Sequence, residues 1–238
     1  MGPVIDLEDV RFAWPGRNAF ALSVERFVVE AGQKLLLVGP SGSGKSTLLS
    51  LICGIVVPAD GRVRIVDTDL ARLGGAARDA FRAAHLGIIF QMFNLVPYLS
   101  VLDNVLLPMH FAPARRERAL ASGGTVADEA RRLLEHLGLD PQQIASQPAA
   151  TLSVGQQQRA AAARALIGTP EIVIADEPTS SLDRDRQADF LSLLFGEVAR
   201  VGATLVMVSH DQSLAPQFDT VVPIGEIARI EAGSERPR

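Results

Sequence analysis

The chain has 238 residues, of which 47% are hydrophobic and 21% are charged, and its formal net charge is −4. This composition suits a globular protein with a substantial core, and the charge gives no general attraction to nucleic acid. The single cysteine excludes an internal disulfide and suits a reducing compartment. With no signal peptide and no run of about 18–20 uncharged apolar residues, we expect a cytoplasmic chain that reaches a membrane only through a partner.

The first third of the chain is predicted to be rich in strands. Residues 4–12 and 20–29 alternate between apolar and polar side chains, as in a partly exposed antiparallel sheet. Residues 34–38 form a short apolar run typical of a buried strand, and Asp60-Gly61 is expected to turn into a strand at 62–66. Residues 69–84 suit a loop followed by a helix.

The rest of the chain alternates strands with helices. Three short apolar runs predict buried parallel strands, at 86–90, 172–175 and 204–209. Prolines and helical spacing predict an inserted, mainly helical subdomain at about 92–165, within a single domain of residues 1–232. Its arginine cluster, Arg115, Arg116 and Arg118, is interpreted as a solvated helix face, with contact to membrane lipid as the alternative. Residues 184–200 are predicted to form an amphipathic helix, and residues 233–238 are predicted to be a disordered tail.

A Gly-rich turn joins the strand at 34–38 to a helix, and its sequence is Gly39-Pro40-Ser41-Gly42-Ser43-Gly44-Lys45-Ser46-Thr47. Between a strand and a helix this pattern predicts a phosphate-binding P-loop, in which backbone N–H groups surround a polyphosphate. Lys45 is expected to reach the β- and γ-phosphates, and the Ser46 hydroxyl is expected to bind Mg²⁺. A dinucleotide-binding turn is disfavoured because position 47 is not glycine.

Polar residues follow each of the three later strands. Gln91 follows the first, Asp176 and Glu177 follow the second, and His210 follows the third. In a parallel sheet these ends share one edge, so we expect the side chains to face the bound phosphates. Asp176 and Gln91 are assigned to Mg²⁺, with Gln91 also a candidate for the attacking water, and His210 to the γ-phosphate.

Glu177 is assigned as the general base that orients or deprotonates the attacking water. Pro178 should keep Glu177 out of the right-handed helical region, which lets its carboxylate point toward the γ-phosphate. The alternative is an acidic turn that caps the next helix.

A second helix start lies at Leu152-Ser153-Val154-Gly155-Gln156. Ser153 and free backbone N–H groups could form an anion site there, while simple capping of the helix by Ser153 is the alternative. Because the P-loop already takes this chain's phosphate, the second site is explained if it serves the ATP of another copy.

These motifs, in this order, closely resemble the ATP-binding cassette family from about residue 4 to residue 230. The resemblance identifies Gln91 as the glutamine loop, 152–156 as the signature, Asp183 as the end of the D-loop and His210 as the switch histidine. It implies an α/β P-loop NTPase with a mainly parallel core sheet, an N-terminal antiparallel β subdomain and an inserted α-helical subdomain.

The family also implies a head-to-tail dimer of cassettes, with each ATP between one P-loop and the opposite signature. The ATP contacts implied in the signature and the D-loop are Ser153, Gly155, Gln156 and Asp183. Trp14 matches the aromatic residue that stacks on adenine, with packing at the strand edge as its alternative and Phe12 as a weaker candidate.

The segments 86–97 and 104–108 look like the subfamily of lipoprotein-releasing, macrolide-efflux and cell-division cassettes. That resemblance implies a second nucleotide-binding subunit and an integral membrane permease as partners, at the cytoplasmic face of the inner membrane, and no nucleic acid. One departure is Val154, which stands where the family usually has glycine. Valine is tolerated there at negative φ and strained at positive φ.

The leading hypothesis is therefore an ATPase subunit that uses ATP and Mg²⁺ to energise export or extraction of a substrate by the permease. The alternative is an ATP-gated regulator of a cell-envelope or signalling membrane partner, without transport. A DNA-repair or ribosome-associated cassette fits less well, because the chain has one cassette and no heptad run. A small-molecule kinase would leave the signature unexplained.

Overall fold

The computed structural model describes residues 2–15, 20–121 and 123–232. The chain divides into two compact units, of which the first comprises Met1–Arg82 and Val206–Arg238 and the second Ala83–Leu205. The predicted tail at 233–238 lies outside the described residues. A single domain at 1–232 with a helical insertion at about 92–165 stays a prediction.

Most of the predicted strands are present. In chain order the strands of the described residues are β1 (Pro3–Ala13), β2 (Phe20–Glu30), β3 (Lys34–Val38), β4 (Asp60–Ile65), β5 (Thr68–Asp69), β6 (Leu86–Ile89), β7 (Ile172–Asp176), β8 (Thr204–Ser209), β9 (Thr220–Pro223) and β10 (Ala228–Ala232). The turn expected at 60–61 is instead the start of β4. Gly61 has φ +85° where β1 bulges, and a side chain there would meet the Asp9 carbonyl, so only glycine fits.

The helices of the described residues are α1 (Lys45–Ile52), α2 (Gly75–His85), α3 (Val101–Leu106), α4 (Pro113–Ala121), α5 (Val126–His136), α6 (Pro141–Ile144), α7 (Val154–Leu166), α8 (Arg184–Val201) and α9 (Ile224–Ile227). Short 3₁₀ helices lie at Leu70–Arg72, Leu107–His110, Ala149–Thr151 and Gln212–Gln217. Among these helices, α8 corresponds to the amphipathic helix expected at 184–200. Within the described part of the chain, no helix combines the length and apolar character that crossing a bilayer requires.

An antiparallel sheet in the first unit has the strand order β10-β2-β1-β4-β5. Leu7 on β1 lies opposite Phe27 on β2 and Val63 on β4, and all three side chains are buried. The alternating pattern of β1 and β2 thus places one apolar face of this sheet toward the core. The predicted antiparallel subdomain is confirmed.

Parallel pairing appears in both units. In the first unit β3 pairs with β9, and in the second unit β6 pairs with β7. The residues of β7 from Ile172 to Ala175 are at most 1% exposed, as expected for a strand covered on both faces. Together with the helices, these strands make the predicted α/β fold.

Helix α7 lies at the centre of the second unit, in contact with α3, α5, α8 and β6. Its alanines at 160–163 are completely buried. Small side chains there allow neighbouring elements to approach the helix closely.

The interpretation of the arginine cluster as a solvated face is wrong for Arg115. Of the three arginines, only Arg116 is exposed, and Arg118 is half-buried. The Arg115 guanidinium is buried and donates hydrogen bonds to the carbonyl oxygens of Leu86, Ala165 and Ile167. Burial lowers its pKa to about 9, so it remains charged at neutral pH. The carbonyls at the end of α7 lack partners within their own helix, and Arg115 satisfies them.

Candidate functional site

The Gly-rich turn at 39–47 lies between β3 and α1, as predicted. A Cβ atom on Gly39 would come within 2.5 Å of Ile224 Cγ2, so the loop excludes any larger residue there. Gly44 caps α1 at φ +91° without a side-chain hydrogen bond, and no acidic residue lies in the first turn. The first N–H groups of α1 are therefore presented to an anion by the backbone alone.

Lys45 is almost completely buried at the start of α1. Its Nζ donates hydrogen bonds to the carbonyl oxygens of Gly39 at 2.7 Å and Pro40 at 2.9 Å. These contacts hold the ammonium group against its own loop. Ser46, the residue assigned to Mg²⁺, is exposed in the same first turn.

Trp14 lies beside the same helix start. Its Nε1 donates a hydrogen bond to Thr47 Oγ1 at 3.2 Å, and its ring is perpendicular to that of Phe12, with 5.1 Å between centroids. Trp14 is 41% exposed, whereas Phe12 is 9% exposed. A purine base can thus reach Trp14, while Phe12 supports it from the core side.

His210 follows β8 in the first unit and is exposed. Its neighbours serve the local backbone, because Ser209 Oγ accepts a hydrogen bond from the Asp211 N–H and Asp211 Oδ1 accepts one from the Ser213 N–H. Ser209 and Asp211 thus stabilise the turn that follows β8.

The second unit brings together three other predicted residues. Ile89 of β6 lies opposite Ala175 of β7, so the carboxyl ends of the two strands are level. Gln91 follows the first strand, Asp176 is the last residue of the second, and Glu177 comes directly after it. The structure thus places an amide and two carboxylates at one edge of this strand pair.

Glu177 has an unusual backbone conformation. Its φ is +44°, in the left-handed region, where non-glycine residues are uncommon. The sequence predicted that Pro178 would keep Glu177 out of the right-handed helical region, and this is confirmed, although the residue is left-handed rather than extended. Such conformations cost about 1–3 kcal/mol and occur most often at functional sites.

The signature segment forms the start of α7. Ser153 is the N-cap, its Oγ accepts a hydrogen bond from the Gln156 N–H, and Gln156 Oε1 accepts one from the Ser153 N–H. Capping by Ser153, predicted as the alternative role, is therefore present. Val154 is the first helical residue, 49% exposed, and is not among the described residues with positive φ. Valine is therefore unstrained where the family usually has glycine.

Asp183 is the N-cap of α8, with its Oδ1 accepting a hydrogen bond from the Arg186 N–H at 3.0 Å. The D-loop candidate at 180–183 thus ends directly at a helix start. The side chain also pairs with the Arg186 guanidinium at 3.3 Å.

Two residues of α7 with clear structural roles were not predicted as site residues. Gln158 Nε2 donates a hydrogen bond to the carbonyl oxygen of Pro178. Arg164 donates to the carbonyl oxygens of Phe93 and Asn94, both at 2.6 Å, and burial lowers its pKa. Phe93 and Asn94 have positive φ values, so Arg164 holds the irregular loop after Gln91. The Gln-rich run after the signature was visible in the sequence, but it did not show which glutamine turns inward.

The comparisons with known proteins agree with this geometry. The family model for the ABC transporter matches residues 22–180. The chain is 43% identical over 195 residues to the uncharacterized ABC transporter ATP-binding protein YbbA of Escherichia coli strain K12, spanning 81% of this chain and 80% of YbbA. It is 39% identical over 237 residues to the lipoprotein-releasing system ATP-binding protein LolD of Anaeromyxobacter dehalogenans, spanning 98% and 95% of the two chains.

Solved structures give the same result. The dimeric structure of MJ0796, a bacterial ABC transporter cassette, is 33% identical, covers 96% of this chain and 98% of its own, and has a TM-score of 0.79. A dimeric post-hydrolysis state of MJ0796 bound to ADP and Pi has a TM-score of 0.77 at 32% identity. The predicted family, subfamily and P-loop NTPase fold are confirmed. The chain therefore belongs to the ABC transporter family, as an ATP-binding and ATP-hydrolysing subunit that energises a membrane partner.

Proposed function

We propose that two copies of this chain pack head to tail, with each ATP held between the P-loop of one copy and the signature of the other. The observation that carries the proposal is the pair of helix starts suited to phosphate in one chain, at Lys45 and at Val154. One bound nucleotide needs only the first of them. The second is explained by the nucleotide of a partner copy, and the dimeric structures of MJ0796 support this arrangement.

The residues assigned to Mg²⁺ fit that ion chemically. Ser46, Gln91 and Asp176 offer a hydroxyl, an amide oxygen and a carboxylate, which are the hard oxygen ligands that Mg²⁺ prefers. No cluster of three or more His, Cys, Asp or Glu suited to a metal occurs among the described residues. A ligand set with a single carboxylate suits Mg²⁺, which in ATPases is held by one or two protein groups together with the phosphates and water. When bound, the ion would neutralise charge on the phosphates.

Hydrolysis would use a general base, groups that stabilise charge and a hydrogen-bond donor. Glu177 accepts a proton from water, the water oxygen bonds to the γ-phosphorus, and the bond from that phosphorus to the ADP oxygen breaks. Lys45 and the N–H groups of α1 stabilise the negative charge of the phosphates, and His210 donates a hydrogen bond to the γ-phosphate. Trp14 stacks on adenine, and Asp183 lies at the dimer contact.

The energy would drive export or extraction of a substrate by an integral membrane permease. The described part of the chain has no membrane-spanning helix, and the similar LolD protein is named as part of a lipoprotein-releasing system. We therefore place the chain at the cytoplasmic face of the membrane, held there by its partner. The loop after Gln91, fixed to α7 by Arg164, is the segment that would pass motion to the permease.

The test is a pull-down from detergent-solubilised membranes of the source cell. The bait is Glu177→Gln with ATP, which should trap the closed dimer, and Lys45→Ala is the control, which should bind ATP about 10- to 100-fold more weakly. Mass spectrometry then identifies the proteins that bind only the first bait. We expect a stoichiometric integral membrane protein with a large extracytoplasmic domain.

The identity of that protein separates the two candidate functions. A partner that carries a substrate pathway or binds lipid-modified proteins supports export or extraction. A partner with an envelope-remodelling enzyme or a sensor domain would support ATP-gated regulation instead. Recovery of only soluble or nucleic-acid-bound proteins would contradict both.

A further inference from the structure

One side chain of α7 reaches the turn that carries the proposed base. Gln158 lies two residues beyond the signature and is 0% exposed. Its Nε2 donates a hydrogen bond of 2.5 Å to the carbonyl oxygen of Pro178, the residue directly after Glu177. The signature helix and the base-bearing turn of the same chain are thus joined by one buried contact.

The turn needs such a restraint. Glu177 is left-handed at φ +44°, a conformation that persists only where the surrounding structure holds it. A second amide contributes from α8, because Gln187 Nε2 donates a hydrogen bond to Thr179 Oγ1 at 3.0 Å. The two residues after Glu177 are thus held by α7 through the Pro178 carbonyl and by α8 through the Thr179 hydroxyl.

The other end of the Gln158 amide indicates why glutamine is present. Among the described residues Oε1 is buried without a hydrogen-bond partner, which is unfavourable for stability. A cavity of about 520 Å³ lies alongside, lined by Gln158 together with Gly155 and Gln156 of the signature and Leu182 of the D-loop. A methionine would fill a similar volume with no unpaired oxygen. The side chain therefore contributes through its N–H donor rather than through packing.

We propose that Gln158 is a positioning residue for hydrolysis, which aligns Glu177 with the attacking water through the carbonyl of Pro178. The proposal rests on the role of Glu177 proposed above. In the head-to-tail dimer this signature contacts the ATP of the partner copy, while Glu177 acts on its own ATP. Gln158 then connects the two nucleotide sites of the dimer within one chain.

The first experiment compares steady-state ATP hydrolysis by the full chain and by Gln158→Met. We expect kcat to fall about 10- to 100-fold, because small displacements of a catalytic group are costly. KM for ATP should stay the same. In the Glu177→Gln background, Gln158→Met should still form the ATP-dependent dimer. Gln142→Met, on the exposed side of α6, is the matched control and should keep the wild-type rate.

The second experiment uses Gln158→Glu across pH 6 to 9. A protonated carboxyl can donate to the Pro178 carbonyl, whereas an ionised one repels it. The rate relative to wild type should therefore rise as pH falls, while the thermal midpoint, measured in parallel, shows whether unfolding accounts for the trend.

A wild-type kcat for Gln158→Met overturns the positioning role, as does a rate ratio for Gln158→Glu that is flat or only follows the thermal midpoint. Normal hydrolysis by Glu177→Gln is a different failure, since it removes the proposed base itself. The two results are read from different variants and cannot be confused.

Discussion

The starts of α1 and α7 are both suited to phosphate, yet they are built differently. Gly44 caps α1 without a side-chain hydrogen bond, so no capping side chain competes with a bound anion there. Ser153 and Gln156 close a reciprocal capping box on α7, so part of that helix start is already satisfied. An anionic ligand therefore gains more binding free energy at the start of α1 than at the start of α7. We infer that the P-loop binds ATP by itself, and that the signature joins only when the dimer closes.

The largest effect on ATP hydrolysis is expected for Glu177→Gln. This change stops the reaction while the starts of α1 and α7 both contact bound ATP in the closed dimer. The amide cannot accept the proton of the attacking water, so kcat should fall about 10²- to 10⁴-fold. ATP binding should be retained, and size-exclusion chromatography with ATP should show a stable dimer. A monomer with wild-type turnover would contradict both the base assignment and the shared site.

Lys45→Ala tests the α1 start alone. Loss of a buried charge-assisted contact to phosphate should weaken ATP binding about 10- to 100-fold. Titration with a fluorescent ATP analogue measures this directly. Unchanged affinity would show that the backbone of the loop suffices, and would contradict the role of the ammonium group.

Ser153→Ala tests the α7 start. Removal of the cap should lower the free energy of unfolding by about 0.5–2 kcal/mol, which chemical denaturation can measure. If the P-loop binds ATP by itself and the signature joins only when the dimer closes, the ATP affinity of the Ser153→Ala monomer stays unchanged. ATP-dependent dimerisation in the Glu177→Gln background should weaken. Equal losses in monomer affinity and in dimerisation would remove the distinction between the two starts.

The smallest effect is expected for Val154→Gly, which restores the residue usual in the family. Because Val154 is helical, no strain is relieved, and glycine lowers the free energy of unfolding by at most about 0.5–1 kcal/mol. The ATPase rate should remain within about twofold of wild type. A large rise in rate would show that valine obstructs the partner's nucleotide after all.

Local patterns account for what the sequence could predict. The alternation in β1 and β2, the apolar run of β7 and the Gly-rich turn each depend on neighbouring residues, and each is found where expected. Ser153 as a cap is also a local property. The relation of Ser46 in the first unit to Asp176 in the second stays a prediction.

What the sequence could not show depends on distant partners. Arg115 is buried because carbonyl oxygens about 50 residues away accept its hydrogen bonds. The residues near Arg115 in the sequence do not indicate these acceptors. Gln156, Gln157 and Gln158 are consecutive on a helix and so point about 100° apart. Only tertiary packing decides that Gln158 is the one turned toward Pro178.

The buried Arg115 also has a consequence for the order of folding. Its acceptors lie at the start of β6 and at the end of α7, so its charge is compensated only after both have assembled. Contacts between residues so far apart in sequence form slowly, and a guanidinium desolvated before them would be unfavourable. We expect α4 to dock late, so that Arg115→Met accelerates unfolding and leaves the refolding rate nearly unchanged in stopped-flow measurements.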